Sequence, residues 1–287
     1  MSSEGGFRVA IIGVGLIGGS LGMAWRRSGA ALEILGVDPN PTDAAVRLGA
    51  IDRWATMAEA VAQADLLLLA APVRAIIALA AEIGPGLRPG TIVTDVGSTK
   101  QAIVKAWEQH LAPGAAFVGG HPLFGREVAG VAGASPDLPA GCAYVLTPSA
   151  RSTPAAVAAV RRLAEAAGGN VKLMDPAEHD ARVAVASHLP QLVATALAAA
   201  AADADDRQGG VLELSATGFR DTTRIAGSPA DLWTDIFLTN PVAIRSALLI
   251  FRESLDALED ALIREDPAAI ARVFARAHTA RNRIAKG

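Results

Sequence analysis

The stretch "RVAIIGVGLIGGSLGMAWRRSG", residues 8 to 29, narrows the fold more than any other. It opens with a short apolar run rich in β-branched residues, turns on glycines, and continues at helical spacing through Leu16, Leu21 and Trp25. Gly13, Gly15 and Gly18 form G-x-G-x-x-G, a weak signal alone but an informative one between a strand and a helix. The three glycines differ in what they allow. Gly13 permits the tight turn, Gly15 lets backbone approach a pyrophosphate, and Gly18 lets helix and strand pack closely. Leu16 and Ile17 would open the helix, where unpaired N–H groups and the positive dipole end receive phosphates. Asp38 ends the next predicted strand, 20 residues after Gly18. Its carboxylate can accept from ribose hydroxyls and would repel a 2′-phosphate, so NAD is expected rather than NADP. The plainer alternative is a tight turn followed by a helix cap before Pro39.

Further apolar runs at residues 33–38, 64–72, 90–98, 115–122 and 141–148 alternate with helical patterns of ten or more residues between most of them. Continuous apolar strands alternating with helices predict a parallel sheet covered on both faces. After "NVKLMDP" the strand signals stop. Residues 177–206 read as one long helix, adjusted at Pro190, and helical patterns follow at 229–237, 241–264 and 267–286 with prolines suited to first-turn positions. The expected fold is α/β: a Rossmann-type doubly wound parallel sheet over residues 1–174, then an all-helical domain over residues 175–287. Helices this apolar on every side need partners, so the second domain is expected to form a homodimer.

Composition excludes some classes. A net charge of -3 does not suit a nucleic-acid binder. The single cysteine, Cys142, rules out an intrachain disulfide and a Cys-cluster zinc site, and fits a reducing cytoplasm. No metal is expected. Residues 183–202 are long enough to span a bilayer, but contain Ser187, His188, Pro190, Gln191 and Thr195, whose burial in lipid is costly, so no membrane is expected.

In an open parallel sheet, ligands bind outside the carboxyl ends of the strands. Ser98, in "DVGSTK", follows one strand, and His121, in "GGHPLFGREVAG", follows the next. Histidine is suited to move a proton near neutral pH, and a nearby serine hydroxyl could orient it. The helical half adds His188 in "SHLPQL" and Arg224 in "GFRDTTRIAG"; arginine binds carboxylates through two parallel charge-assisted bonds. Each has a structural alternative: a turn histidine, a helix-capping serine, a core histidine, an arginine paired with Asp221. His110, His179 and His278 read as ordinary surface or helix residues.

Together "GVGLIGGSLG", "DVGSTK", "GGHPLFGREVAG", "SHLPQL" and "GFRDTTRIA" resemble the prephenate and arogenate dehydrogenases of tyrosine biosynthesis, over about residues 8 to 285. The resemblance implies an NAD-dependent oxidative decarboxylation of a small cyclohexadienol, prephenate or arogenate. Hydride leaves ring C4, its hydroxyl loses a proton, CO₂ departs and the ring becomes aromatic. It further implies that His121 deprotonates the hydroxyl, Ser98 orients His121, Arg224 binds a substrate carboxylate, Glu127 pairs with that arginine and gates the site, and His188 lines the pocket. Glu127 as a solvated surface charge is the plainer reading. Family members often carry histidine where this chain has Gln191 and alanine where it has Phe124, so the pocket is expected to be narrower near His121.

Overall fold

Four consecutive leucines, Leu66–Leu69, form a strand with no exposed side chain. Alternate side chains of a strand point to opposite faces. Leu66 and Leu68 accordingly join one apolar core and Leu67 and Leu69 the other. The neighbouring residues 9–12 divide in the same way. The sheet is therefore covered on both sides, and its central strands read as unbroken apolar runs.

The computed structural model describes residues 7–126 and 128–284. The first half runs β1 (Phe7–Ile12), α1 (Leu16–Ser28), β2 (Ala31–Val37), α2 (Asp43–Arg47), β3 (Arg53–Trp54), α3 (Met57–Gln63), β4 (Leu66–Leu69), α4 (Val73–Ile83), β5 (Ile92–Asp95), α5 (Gln101–His110) and β6 (Ala116–Pro122). It closes with β7 (Ala143–Thr147), α6 (Pro154–Ala166) and β8 (Asn170–Leu173). The eight strands lie in the order β3-β2-β1-β4-β5-β6-β7-β8. Strand order reverses between β1 and β4, which opens a crevice at the carboxyl edge beside them.

The expectation of a parallel sheet holds for every pair but one: β6 and β7 are antiparallel, with His121 opposite Val145. The cause lies in the connection. Residues 123–142 contain a single 3-10 turn, Val131–Gly133, and no crossover helix among the described residues. A chain without a crossover must come straight back beside the strand it left.

The second half is helical: α7 (Pro176–Val183), α8 (Leu189–Gln208), α9 (Thr217–Thr223), α10 (Ala230–Thr239), α11 (Pro241–Ile263) and α12 (Pro267–Ile284). The adjustment expected at Pro190 is a π-helical turn, Ala184–His188, that joins α7 to α8. Proline has no N–H for the i−4 carbonyl, and a π-turn absorbs that break without ending the helix. Pro241 sits in the first turn as expected, whereas Pro229 is the N-cap of α10. The core here is small, built on Ala184, Ile244 and Ala247. Leu249, Ile250, Leu262, Ile263 and Phe274 are exposed. By length and composition the run Pro176–Gln208 could cross a membrane, yet it carries buried His179, Asp180, His188 and Gln191.

Candidate active site

The glycine loop folds as its sequence requires. Gly13 has φ +97°, and a Cβ there would lie 2.3 Å from Ala70 O. A Cβ on Gly18 would lie 2.3 Å from Gly13 O, so helix and strand touch through it. At Gly15, by contrast, a Cβ would meet nothing within 4 Å. That backbone faces open space, as a cradle for a bulky anion must. Gly15 caps α1 with no side-chain hydrogen bond and no acidic residue in the first turn. Leu16 and Ile17 therefore present N–H groups that the helix itself cannot pair.

A groove of about 660 Å³ runs along this loop, lined at the carboxyl ends of β1, β2 and β4 by Gly13, Gly15, Asp38 and Ala71 among others. Asp38 accepts from Val14 N and Asn40 N, both at 2.9 Å. The carboxylate thus ties the glycine loop to the end of β2 while keeping lone pairs for a ligand. These features fit a dinucleotide with its phosphates on α1 and a ribose at Asp38.

Two strands away, the same edge holds His121, at the end of β6. Its Nδ1 lies 2.8 Å from Nε2 of His179, the rings meeting edge to face. His179 Nδ1 lies 2.8 Å from Asp180 Oδ1. Both partners are buried, with exposures of 1% and 0%. His179 is thus no ordinary helix residue, contrary to its reading from sequence. It packs inward from α7 onto the histidine of the other lobe. The one sequence signal was an adjacent His–Asp pair in a helix that buries its flank; the partner lies 58 residues away.

Below them sits a second pair. Lys100 and Asp95 are fully buried and ion-paired, and Lys100 Nζ also donates to Gly120 O at 2.7 Å. Asp95 Oδ1 accepts from Gly120 N at 3.0 Å, and Oδ2 from Gly97 N at 2.8 Å. Both backbone groups of the residue before His121 are therefore held by buried charge. Burial opposes the ammonium charge and lowers the Lys100 pKa, against the pull of Asp95. Burial also holds His121 well below its ordinary value, reinforced by His179, Lys100 and His188. Its imidazole is neutral at neutral pH.

His188, 1% exposed, lies on the π-turn. Burial pushes its pKa to about 4. Its ring meets Trp233 edge to face, and its Nδ1 is 3.4 Å from Asn240 Nδ2. The same Asn240 amide donates to Asp180 O at 2.8 Å, so His188 belongs to the cluster around His179. Three residues on, Gln191 donates to Ile225 O at 2.9 Å and pins the segment carrying Arg224 against α8. Ser98 is half-buried just after β5 and makes no hydrogen bond among the described residues; the hydrogen-bond partner of His121 Nδ1 is His179. Phe124 packs against the main core. Glu127 lies outside the described residues.

Residues 21–173 match the family described as "Prephenate dehydrogenase, nucleotide-binding domain", and residues 175–276 its "dimerization domain". The chain belongs to the prephenate dehydrogenase family. Among relatives of this family, the prephenate dehydrogenase of Bacillus subtilis is 33% identical over 270 residues, 93% of this chain and 73% of that protein. The cyclohexadienyl dehydrogenase of Zymomonas mobilis is 34% identical over 262 residues, 90% of this chain and 89% of that protein. The crystal structure of the Aquifex aeolicus prephenate dehydrogenase, in complex with hydroxyphenyl propionate and NAD+, is 34% identical with a TM-score of 0.92, covering 99% of this chain and 100% of that one.

Proposed function

We propose that the protein is an NAD-dependent prephenate dehydrogenase of tyrosine biosynthesis, converting prephenate to 4-hydroxyphenylpyruvate and CO₂. The observation that carries this reading is the placement of a neutral, half-buried imidazole on the same sheet edge as the dinucleotide groove. When bound, NAD accepts the hydride from ring C4. The chain supplies the rest. His121 takes the C4 hydroxyl proton, help of a kind typically worth about 10²–10⁴-fold. Ser98 contacts that hydroxyl from the end of β5. Arg224 binds a substrate carboxylate, with Glu127 as its acidic neighbour, and His188 lines the ring pocket. Gly13, Gly15, Leu16, Ile17, Gly18 and Asp38 hold the cofactor.

Residues 1–174 form the nucleotide unit and residues 175–287 the substrate unit in this reading. The apolar helical faces left exposed belong to a homodimer contact rather than to a membrane, and the enzyme works in the cytoplasm. Arogenate, with an amino group in place of the side-chain keto group, is the second substrate to consider, since a cyclohexadienyl dehydrogenase is among the relatives. NADH formation with prephenate and with arogenate, each with NAD and NADP, tests the reading. Turnover of prephenate with NAD supports it, and turnover of neither cyclohexadienol removes it. Arg224→Ala is expected to raise KM roughly ten- to a hundredfold, the loss of a charge-assisted bond of about 1.5–3 kcal/mol. Asp38→Ala is expected to relax the preference for NAD over NADP, read as the ratio of kcat/KM values.

A further inference from the structure

We propose that His179 and Asp180 are positioning residues that fix the tautomer of His121, leaving its Nε2 as the unprotonated atom in the cleft. The inference rests on the reading of His121 as the base, and its evidence is a chain of hydrogen bonds that, with His179 neutral, has one solution. Asp180 Oδ1 accepts from Lys100 N at 2.7 Å, and Oδ2 from Gln101 N at 3.0 Å. Held by two backbone donors at the start of α5, this side chain meets His179 as a carboxylate, which has only acceptor atoms to offer. The 2.8 Å contact with His179 therefore requires the proton on His179 Nδ1. A neutral imidazole carries one N–H, so His179 Nε2 is a lone pair. That lone pair stands 2.8 Å from His121 Nδ1, which must supply the hydrogen. His121 Nε2 is then a lone pair too, and it makes no hydrogen bond among the described residues.

The alternative chain fails at its first link. Were Nε2 of His121 protonated, its Nδ1 would accept from His179 Nε2–H, and the bare Nδ1 of His179 would face a carboxylate with no proton to offer. Two lone pairs facing each other at 2.8 Å in a buried site repel and leave both groups unsatisfied, so that arrangement is disfavoured. The arrangement also separates orientation from proton transfer. The hydroxyl proton ends on His121 Nε2, and the resulting imidazolium keeps its Nδ1–H bond to His179. No proton needs to move further inward during turnover.

Three substitutions separate this role from a structural one. His179→Gln keeps an acceptor: its amide oxygen can take the His121 Nδ1–H but cannot itself be protonated, so kcat is expected within about tenfold of wild type. His179→Leu removes the acceptor and frees His121 to adopt either tautomer. Here kcat is expected to fall roughly a hundredfold or more, while the Kd for NAD stays unchanged. Asp180→Asn sets an amide donor against a backbone N–H of α5 in either orientation and weakens the hold on His179, with a loss of kcat on the order of 10²–10⁴-fold by analogy with other carboxylate–imidazole pairs. Because this variant also disturbs the start of α5, its melting temperature is compared in parallel.

The tautomers are read directly by ¹⁵N NMR of the five histidines, with His121 assigned by His121→Asn. Wild type and His179→Gln should give Nδ1–H at His121, and His179→Leu a mixture. An Nε2–H tautomer in wild type overturns the proposal, as does unchanged kcat in His179→Leu or equal loss in His179→Gln and His179→Leu. The NMR result stands apart from turnover. Nδ1–H in a protein that oxidises neither cyclohexadienol would sink the functional reading and leave the positioning role intact.

Discussion

Buried charge decides most of what individual residues do in this molecule. Lys100 and Asp95 have no solvent to fall back on, so removing one partner strands the other. Lys100→Met is expected to destabilise the fold by about 3–5 kcal/mol, measured by denaturant unfolding, because it leaves an uncompensated buried carboxylate. The neutral histidines act in the opposite sense. A histidine with its folded pKa depressed releases protons on folding, so the unfolded chain binds more of them and stability rises with pH. For His188 the window runs from about 4 to the ordinary 6.5. Stability should fall as pH drops through it, and His188→Gln should flatten that slope in a series of unfolding curves. His121 points the same way for catalysis: the acid limb of kcat/KM should lie well below 6.5. His121, Ser98, His188 and Arg224 were legible as polar residues in apolar or glycine-rich surroundings. His179 was not, because its partner comes from another lobe and sequence periodicity carries no information about what a helix face meets.

The elements around the site were legible where the pattern is local and obscure where direction matters. Strand β1, its glycine turn and α1 follow from spacing alone, and the π-turn follows in kind from Pro190. The reversal between β6 and β7 does not, since an apolar run looks the same in either direction. Only the lack of a helical pattern over residues 123–142 pointed to it. Strand β6 shows how tightly the site depends on its elements. A Cβ on Gly120 would lie 2.5 Å from Asp95 O and 3.3 Å from Tyr144 Cε1. Gly120→Ala must therefore push β5 and β6 apart at the residue before His121. An overpacking loss of about 1–3 kcal/mol is expected, together with a fall in kcat, by unfolding and steady-state kinetics on the same preparation.

Taken whole, the molecule joins a deeply cored sheet to a helical lobe with a core of a few residues. Leu262 and Ile263 on α11 and Phe274 on α12 are 66%, 74% and 68% exposed. Large apolar side chains left this exposed are expected to lie in the contact of the proposed homodimer. Ile263→Asp combined with Phe274→Asp is expected to shift the protein from dimer to monomer in sedimentation velocity; an unchanged sedimentation coefficient would move the contact elsewhere. The junction between lobes has an electrostatic outcome of its own. Asp180 occupies the start of α5, and Asp235 accepts from Arg74 N at 3.4 Å at the start of α4. Each commits the positive pole of a helix to a side chain of the opposite lobe. The pole of α1 meets no such acid in its own first turn. A polyanion arriving at this rim finds the poles of α4 and α5 already closed by carboxylates, and is steered to that of α1.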